Sequence, residues 1–373
     1  LIMKICYILT RSDAIGGVQI HVKNFSKMMN EKMHDAYILV GEDGPYYKQL
    51  ISEGHNVFSI KFLRKEINPI YDLLALIELV ICLKRIGPEI VSTHSSKAGV
   101  LGRLASKLLN IPVIFTAHGW AFTEGVEGFK QFIYARVENL MAKITNKIIT
   151  VSDYDLNLAL QKNITDKHKM QRVHNGMPEI SDKFLSNVRT DSLKICMVAR
   201  FDEQKDHPTL IGALGEIKHL NWEIDFLGDG PLIDSVKKYA AENGIEDRVN
   251  FFGEVADVTP ILSESQIFTL ISNWEGLPRS IIEAMRSGLP IVASDVAGVN
   301  EMVRDGINGY LIPRKDIKTL SERLELLIND KELRSRMAEQ SLKEYKKGFT
   351  LDKTFENTFA LYEETIESKR NHF

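Results

Sequence analysis

The chain has 373 residues, of which 44% are hydrophobic and 26% are charged, and its formal net charge is -3. These values exclude a disordered chain or an acidic tail and give no support to nucleic-acid binding, while the length predicts two domains with a cleft between them. Cys6, Cys82 and Cys196 lie far apart without Cys-x-x-Cys spacing, so we expect neither a disulfide nor a zinc site, which favours a reducing cytoplasm.

The first ten residues are apolar but short and lack a small-residue cleavage site, so we expect a strand there and not a signal peptide. The apolar run 73–83 contains Glu78 and is far shorter than a bilayer requires. We therefore expect no transmembrane segment.

Short β-branched runs alternate with longer helical patterns in the first half of the chain, which is typical of a parallel α/β layer. Strands of a first sheet are predicted, six in number, at 4–10, 36–40, 57–60, 90–93, 113–117 and 148–151. Helices are predicted at 18–29, 46–53, 71–86, 98–109 and 129–142. The strand ends carry Gly, His and Ser, which is where such a sheet holds its ligands.

A polar segment at 179–192 predicts an interdomain linker, and the alternation then restarts. Strands of a second sheet are predicted at 194–198, 222–227, 249–252, 267–270, 291–293 and 309–312. Helices are predicted at 208–217, 232–243, 278–288 and 317–329, followed by a helical tail, 333–368, that is broken near Gly348. We predict two Rossmann-like domains, 1–180 and 190–350, with a last helix at about 351–373 that packs back on the first.

Gly16 and Gly17 follow the first predicted strand and open the first helix, where their backbone amides can approach a phosphate. The alternative is a simple tight turn. A third glycine is missing, and no acidic residue ends the second strand at the expected distance, so an NAD site is disfavoured.

Arg200 lies just past a predicted strand of the second domain, and Lys205 precedes the next helix. Both cations can reach the expected cleft and pair with two phosphates. Arg200 can donate two parallel hydrogen bonds, and Lys205 can act as a point charge. The alternative is an ordinary solvated loop.

Glu275 and Glu283 flank a predicted helix start, with Pro278 suited to the first helical position. The helix N-terminus offers amides to a diphosphate, one carboxylate can meet a sugar, and the other can accept hydrogen bonds from the two ribose hydroxyls. The alternative is two solvated charges.

His118 follows another strand of the first domain and can hydrogen-bond a donor sugar or shape the acceptor site, unless it is a buried structural histidine. His94 and Lys97, with Arg103 behind them, can contact a polar acceptor. Alternatively, these cations simply decorate a helix start.

Short motifs are spread over almost the whole chain: Gly16-Gly17, His118-Gly119, Val151-Ser152, Asn175-Gly176, Arg200 with Lys205, Gly228-Asp-Gly-Pro231, Phe252-Gly253, Glu275-Gly-Leu-Pro278 with Glu283, and Gly298-Val-Asn-Glu301. In this order they resemble the retaining glycosyltransferases of family 4, whose fold is GT-B.

The resemblance implies a role for each matching position. Arg200 and Lys205 look like the pair that neutralises the donor diphosphate, with Gly16 and Gly17 supplying amides from the opposite wall. Glu283 is similar to the ribose-binding glutamate, and His118 to the active-site histidine. The donor sugar is matched to Glu275, Gly276 and Leu277, and the uracil to Gly253 and Val255.

The same resemblance implies front-face attack with retention of configuration, in which the donor phosphate helps to deprotonate the acceptor hydroxyl and no protein nucleophile is needed. The cations and the helix N-terminus can meet the phosphate charge, so we expect no metal requirement. Glu275-Gly-Leu-Pro278 departs from the commoner Glu-x-Phe-Gly, so the identity of the donor sugar is not inferred from the family. Lys205-Asp-His207 similarly replaces Lys-Gly.

The sequence is similar in character to capsule and O-antigen enzymes, which implies a nucleotide-sugar donor, with UDP favoured, and a polyprenyl-diphosphate-linked saccharide acceptor. The alternatives are a transferase with a small soluble acceptor and a non-catalytic sugar-nucleotide-binding subunit. We expect acceptor choice in the first domain, including 123–130, and a cytoplasmic location that includes peripheral contact with anionic lipid at the inner face of the plasma membrane. The residues proposed for that contact are the basic Lys61, Arg64, Lys65, Lys84 and Arg85 beside the apolar Phe62, Leu63 and Leu83. The alternative is that these are scattered solvated charges.

Overall fold

The computed structural model describes residues 2–371 and divides into two compact units. One unit runs to His174 and takes in the chain again from Thr354, and the other is Asn175–Lys353. Leu1 and the last two residues of the predicted helix at 351–373 lie outside the described residues.

The first unit is built on parallel strands: β1 Lys4–Leu9, β2 Asp35–Gly41, β3 Asn56–Ile60, β4 Ile90–His94, β5 Val113–Ala117, β6 Lys147–Thr150 and β7 Met170–Arg172. Within the described residues they form a seven-stranded sheet in the order β3-β2-β1-β4-β5-β6-β7. The strand order reverses between β1 and β4, which is the place where an open α/β sheet binds its ligands.

Helices follow these strands in turn: α1 Gly17–Glu31, α2 Pro45–Ser52, α3 Pro69–Ile86, α4 Ser96–Leu108, α5 Gly128–Ala142 and α6 Asp153–Gln161. Local chemistry sets several of their ends. The side chain of Asn68 caps α3 by accepting from the amides of Ile70 and Tyr71, and Gly87 ends α3 at a positive φ of 62°. The central strands are buried on both faces, as the covering helices require.

The second unit repeats the plan with β8 Lys194–Val198, β9 Glu223–Leu227, β10 Val249–Phe251, β11 Ile267–Leu270, β12 Ile291–Ser294 and β13 Gly309–Ile312. Its sheet has the order β10-β9-β8-β11-β12-β13, and every pairing is parallel. Its helices are α7 His207–Glu216, α8 Ile233–Glu242, α9 Thr259–Glu264, α10 Arg279–Arg286, α11 Ile317–Asn329 and α12 Lys331–Gly348, and α13 Leu351–Arg370 follows them in the chain.

The last helix returns to the first unit. From Thr354 onward α13 belongs to that unit, where the Tyr362 hydroxyl donates to Ser92 Oγ at 3.1 Å and Arg370 pairs with Glu89 at 2.7 Å. The predictions of two Rossmann-like parallel sheets and of a returning C-terminal helix are confirmed.

Three elements were missed, β7, α6 and α9, all of which are short. The prediction that Pro278 is the first helical residue is wrong: with φ -67° and ψ 119° it is the extended residue that precedes α10. Within the described part of the chain, no helix combines the length and the apolar character that a bilayer-spanning helix needs.

Candidate functional site

A cavity of about 500 Å³ opens in the second unit where β8 and β9 end. The strand order of this sheet reverses between β8 and β11, so the cavity lies next to the reversal, on the β9 side of β8. Its walls are Val198, Ala199, Arg200, Leu227, Gly228, Asp229, Gly230, Glu254, Val255 and Val258. The structure thus brings Arg200 and Val255, predicted from separate motifs, to one cavity.

Glycine allows the loops around this cavity to approach closely. Gly228 has φ 140°, and a Cβ atom there would lie 2.1 Å from the carbonyl oxygen of Ala199. The Gly228 amide donates to the Gly253 carbonyl at 2.7 Å, and the Phe201 amide donates to the Asp229 carbonyl at 3.1 Å. Any side chain at position 228 would therefore push the cavity wall apart.

Lys205 and Glu275 form an ion pair in the second unit, although they are 70 residues apart in sequence. The pair is well shielded, since the two side chains are 12% and 5% exposed. Glu275 also accepts from Ser272 Oγ at 2.7 Å and from Gln204 Nε2 at 3.2 Å. The carboxylate is therefore held by three donors in a fixed orientation.

Backbone hydrogen bonds bring the two loops of this pair together. The Asn273 amide donates to the Gln204 carbonyl at 2.8 Å, and the Asp206 amide donates to the Ile271 carbonyl at 2.9 Å. Gln204 and Ser272 were not predicted as site residues. Their positions in the chain could have indicated them, because Gln204 adjoins Lys205 and Ser272 lies three residues before Glu275.

Arg200 is held much more loosely than Lys205. Its side chain is 78% exposed and pairs with the Asp202 carboxylate in the same loop. An exposed pair of this kind contributes little free energy, so the guanidinium can exchange Asp202 for another anion. The two predicted phosphate ligands thus differ: one is buried in an ion pair, and the other stands at the solvent edge of the cavity.

Glu283 lies on the second turn of α10 and is half-buried. Burial raises the pKa of Glu283, the charges of Arg279 and Arg286 oppose the rise, and Asp257 adds to it. Arg286 is engaged elsewhere as well, since it donates to the Thr259 hydroxyl at 3.1 Å. The carboxylate is therefore set beside two cations, which favour the ionised form that a ribose hydroxyl would need as acceptor.

The segment matched to the donor sugar is tied to the loop after β12. The Gly298 amide donates to the Gly276 carbonyl at 3.1 Å. The side chain of Leu277 is 6% exposed and faces the interior. A sugar would therefore meet Leu277 through its backbone.

In the first unit, His94 at the end of β4 supports His118 after β5. His94 Nδ1 lies 3.0 Å from His118 Nε2, and His94 Nε2 lies 3.1 Å from Ser92 Oγ, which also accepts from Tyr362. His94 is only 1% exposed, and its pKa is lowered well below the usual value by burial and by His118. The neutral His94 imidazole is thus a buried neighbour of the half-buried His118, so the predicted acceptor contact of His94 would have to pass through His118.

His21 completes a cluster of imidazoles with His94 and His118. Nitrogen atoms of the three rings lie within 4.8 Å of one another, which makes them a possible set of metal ligands. The rings also stack and tilt against each other, with centroids 5.0 to 5.6 Å apart. Two of the nitrogens are joined by the hydrogen bond already described, so the arrangement is also consistent with a cluster that holds no ion.

Lys97, Gly16 and Gly17 border a second cavity of about 450 Å³, at the ends of β1 and β4 in the first unit. Lys97 pairs with the Asp72 carboxylate and donates to the Glu66 carbonyl. The structure therefore places these three predicted site residues together at the strand reversal of the first sheet.

Two sequence-based assignments in the first unit are wrong. Arg103 is fully buried, pairs with Glu138 at 2.8 Å and lies over the Phe115 ring, so it stabilises the interior and does not contact an acceptor. Leu63 and Leu83 are also fully buried in the core and cannot form the apolar part of a lipid-binding surface. Both errors concern burial, which the local sequence pattern did not reveal.

Two family models match the chain, one on each half. Residues 15–179 match the model described as Glycosyltransferase Family 4, and residues 179–344 match the model described as Glycosyl transferases group 1.

The curated relatives include two bacterial enzymes that match over nearly their whole length. The chain is 29% identical to the UDP-Gal:alpha-D-GlcNAc-diphosphoundecaprenol alpha-1,3-galactosyltransferase of Escherichia coli, with 95% of each chain covered. It is 25% identical to the capsular polysaccharide biosynthesis glycosyltransferase CapM of Staphylococcus aureus, with 96% of each covered.

Solved structures show the same fold. A glycosyltransferase from Rickettsia africae superimposes with a TM-score of 0.84 at 20% identity, covering 98% of this chain and 99% of that one. HepE from Anabaena, solved with UDP and glucose, superimposes with a TM-score of 0.82 at 19% identity, covering 96% and 99%.

Proposed function

Because the chain belongs to the family 4 glycosyltransferases and has their GT-B fold, we propose that it is a retaining sugar transferase of surface polysaccharide synthesis. It would move a hexose or N-acetylhexosamine from a nucleotide sugar, UDP-linked, to a hydroxyl of a polyprenyl-diphosphate-linked saccharide. The reaction would take place at the cytoplasmic face of the plasma membrane.

The observation that carries this proposal is the cavity of the second unit. It combines an apolar wall that includes Val255, an exposed cation, Arg200, at its edge, and glycine loops that expose backbone groups. A nucleotide needs a flat apolar surface for its base and fixed positive charge for its phosphates. We therefore assign this cavity to the nucleotide, with the uracil beside Gly253 and Val255.

The relatives support the choice of donor and acceptor. The Escherichia coli relative is named for a UDP-galactose donor and a diphosphoundecaprenol-linked acceptor, and CapM is named for capsule synthesis. HepE was solved with UDP and glucose. Two of these descriptions include a uridine nucleotide, and two refer to a lipid-linked or capsular glycan. Both features belong to the chemistry proposed here.

Different residues of the second unit would contact the diphosphate and the ribose of the donor. As the bond between the sugar C1 and the phosphate oxygen breaks, negative charge grows on the diphosphate, where Arg200 and Lys205 would stabilise it without a metal. The acceptor hydroxyl would attack from the same face, and its proton would pass to the departing phosphate. Glu283 would accept hydrogen bonds from the ribose hydroxyls.

Glu275 suits a positioning role toward the donor sugar. Three donors already hold its carboxylate, Lys205 among them, and a carboxylate so restrained is poorly placed to attack an anomeric carbon. We infer that it orients sugar hydroxyls and Lys205, in keeping with a mechanism that has no protein nucleophile. In the first unit, His118 is assigned to the reacting sugar, and the cavity bordered by Gly16, Gly17 and Lys97 to phosphate and acceptor groups.

A donor panel tests the proposal. Purified protein is mixed with UDP-, GDP- and ADP-sugars, and thermal stabilisation and slow donor hydrolysis are measured without acceptor. We expect one UDP-sugar to stand out, and NMR of the glycoside formed with a lipid-linked acceptor should show the anomeric configuration of the donor. Arg200→Ala should lose the response, whereas Arg336→Ala, which removes an exposed arginine on α12, should keep it. Absence of binding by every nucleotide sugar would refute the assignment.

A further inference from the structure

Helix α3 carries an exposed apolar stripe. Ile70, Leu73, Ile77 and Ile81 are 71%, 58%, 49% and 62% exposed, and Ile67 just before the helix is 79% exposed. Spacings of three and four residues place the four helical side chains on one face. From Ile70 to Ile81 the stripe is roughly 16 Å long at 1.5 Å per residue.

The opposite face of α3 is apolar as well. Ala75, Leu79 and Leu83 are fully buried in the core of the first unit. A surface helix normally has polar residues on its outer face, and a contiguous exposed apolar surface marks an interaction site. The core accounts for one face of α3, so the outer face needs a partner of its own.

The charges at the two ends of the stripe are predominantly positive. Within the described segment 61–86, the exposed cations Lys61 and Lys65 precede the helix, and Lys84 and Arg85 lie on its last turn. Among its three carboxylates, Glu66 is exposed. The other two are engaged inward, since Asp72 pairs with Lys97 and Glu78 accepts from the Phe62 amide at 3.3 Å.

The stripe begins at the functional edge of the sheet. Helix α3 starts after the carboxyl end of β3, on the edge where Gly16 follows β1 and His118 follows β5. The Lys97–Asp72 pair joins the first turn of α3 directly to the cavity bordered by Gly16 and Gly17. A partner on the stripe would therefore lie next to the region assigned to the acceptor.

We propose that α3 lies in the interface of an anionic bilayer, with its apolar stripe inserted and its terminal cations on the lipid headgroups. An in-plane helix with one inserted apolar face and basic residues nearby is the established form of such contact. This inference rests on the proposed function, because an enzyme that extends a lipid-linked saccharide must meet its acceptor at the membrane surface. A neutral protein partner would not require cations at both ends of the stripe.

The test is co-sedimentation of the purified full chain with vesicles of phosphatidylcholine containing 30–40% phosphatidylglycerol, compared with phosphatidylcholine alone. The stripe variant, Leu73→Ser/Ile77→Ser/Ile81→Ser, replaces three of the four apolar side chains of the stripe. The matched control, Ile51→Ser/Leu108→Ser/Leu326→Ser, changes aliphatic side chains that are 53%, 68% and 39% exposed on other helices. All six positions are solvent-exposed, so we expect both variants to fold.

We expect wild type and control to bind anionic vesicles and the stripe variant to bind at least tenfold less. Lys84→Ala/Arg85→Ala should weaken binding by about fivefold per cation and make it less dependent on salt. Equal vesicle binding by the stripe variant and wild type would overturn the proposal. So would a wild-type dimer that the stripe variant converts to monomer while vesicle binding is absent.

The proposed function can fail separately. Transfer to a detergent-solubilised acceptor should be unchanged in the stripe variant, because none of its substitutions touches the site residues. If wild type binds vesicles through α3 but transfers no sugar from any donor, the docking surface stands and the transferase assignment falls. If transfer proceeds normally but the stripe variant binds vesicles like wild type, the docking surface is refuted and the transferase assignment stands.

Discussion

Replacing Arg200 and Lys205 one at a time should separate charge that serves the donor from charge that also stabilises the fold. Arg200 is 78% exposed beside Asp202, whereas Lys205 is 12% exposed beside the buried Glu275. If both cations meet the leaving diphosphate, Arg200→Ala and Lys205→Met should each cost roughly 2 to 4 kcal/mol of transition-state stabilisation. This corresponds to a fall in kcat/KM of roughly 30- to 900-fold.

The two variants should differ in the free energy of unfolding. Arg200→Ala breaks an exposed pair and should change it by less than about 1 kcal/mol. Lys205→Met leaves a buried carboxylate without its cation, a loss of about 3 to 5 kcal/mol in other proteins. Glu275 keeps its bonds from Ser272 and Gln204, so we expect the lower end of that range.

Steady-state kinetics with the UDP-sugar that the donor panel selects, together with urea unfolding followed by tryptophan fluorescence, would measure both effects. The double variant Lys205→Met/Glu275→Gln should regain at least about 2 kcal/mol of stability, because no unpaired buried charge remains, yet should stay inactive. Near-normal turnover in both single variants would refute the phosphate role. Equal stability of Lys205→Met and wild type would refute the structural role of the pair.

Three further predictions concern the ribose, the histidines and metal dependence. Burial raises the pKa of Glu283, so its carboxylate is lost at a higher pH than usual for glutamate, and the donor KM should rise as the pH falls through that raised pKa. Glu283→Gln should give a donor KM about tenfold higher at neutral pH and remove this pH dependence, and an unchanged KM would place the ribose elsewhere. His94→Phe should lower kcat by about tenfold to a hundredfold with little change in donor KM, because His118 loses its 3.0 Å neighbour. His94→Gln should restore part of the loss. Equal kcat in His94→Phe and wild type would contradict the supporting role of His94. Turnover should survive EDTA, and a loss that Mn²⁺ restores would contradict the metal-free mechanism.

The fold could be predicted from the sequence because its strands and helices each have a local hydrophobic pattern. Alternating buried strands and amphipathic helices carry their period within ten to twenty residues, and this period is enough to indicate two parallel sheets. The ends of these elements are equally local, so His118 and Arg200 were placed correctly just past strands, and Gly16 and Glu275 were placed correctly before helices. The elements β7 and α9, of three and six residues, were missed because they are too brief to show a period.

Tertiary structure decided which residues meet and which faces are covered. The ion pair of Lys205 with Glu275 exists because β8 and β11 are neighbours in a sheet whose order departs from chain order. Pairing of β4 with β5 brings His94 to His118, and packing of α4 against α5 buries Arg103 beside Glu138. A local pattern can show that a helix is apolar, but only packing shows which of its faces the core covers. For this reason the exposed stripe of α3 was recognised only in the structure.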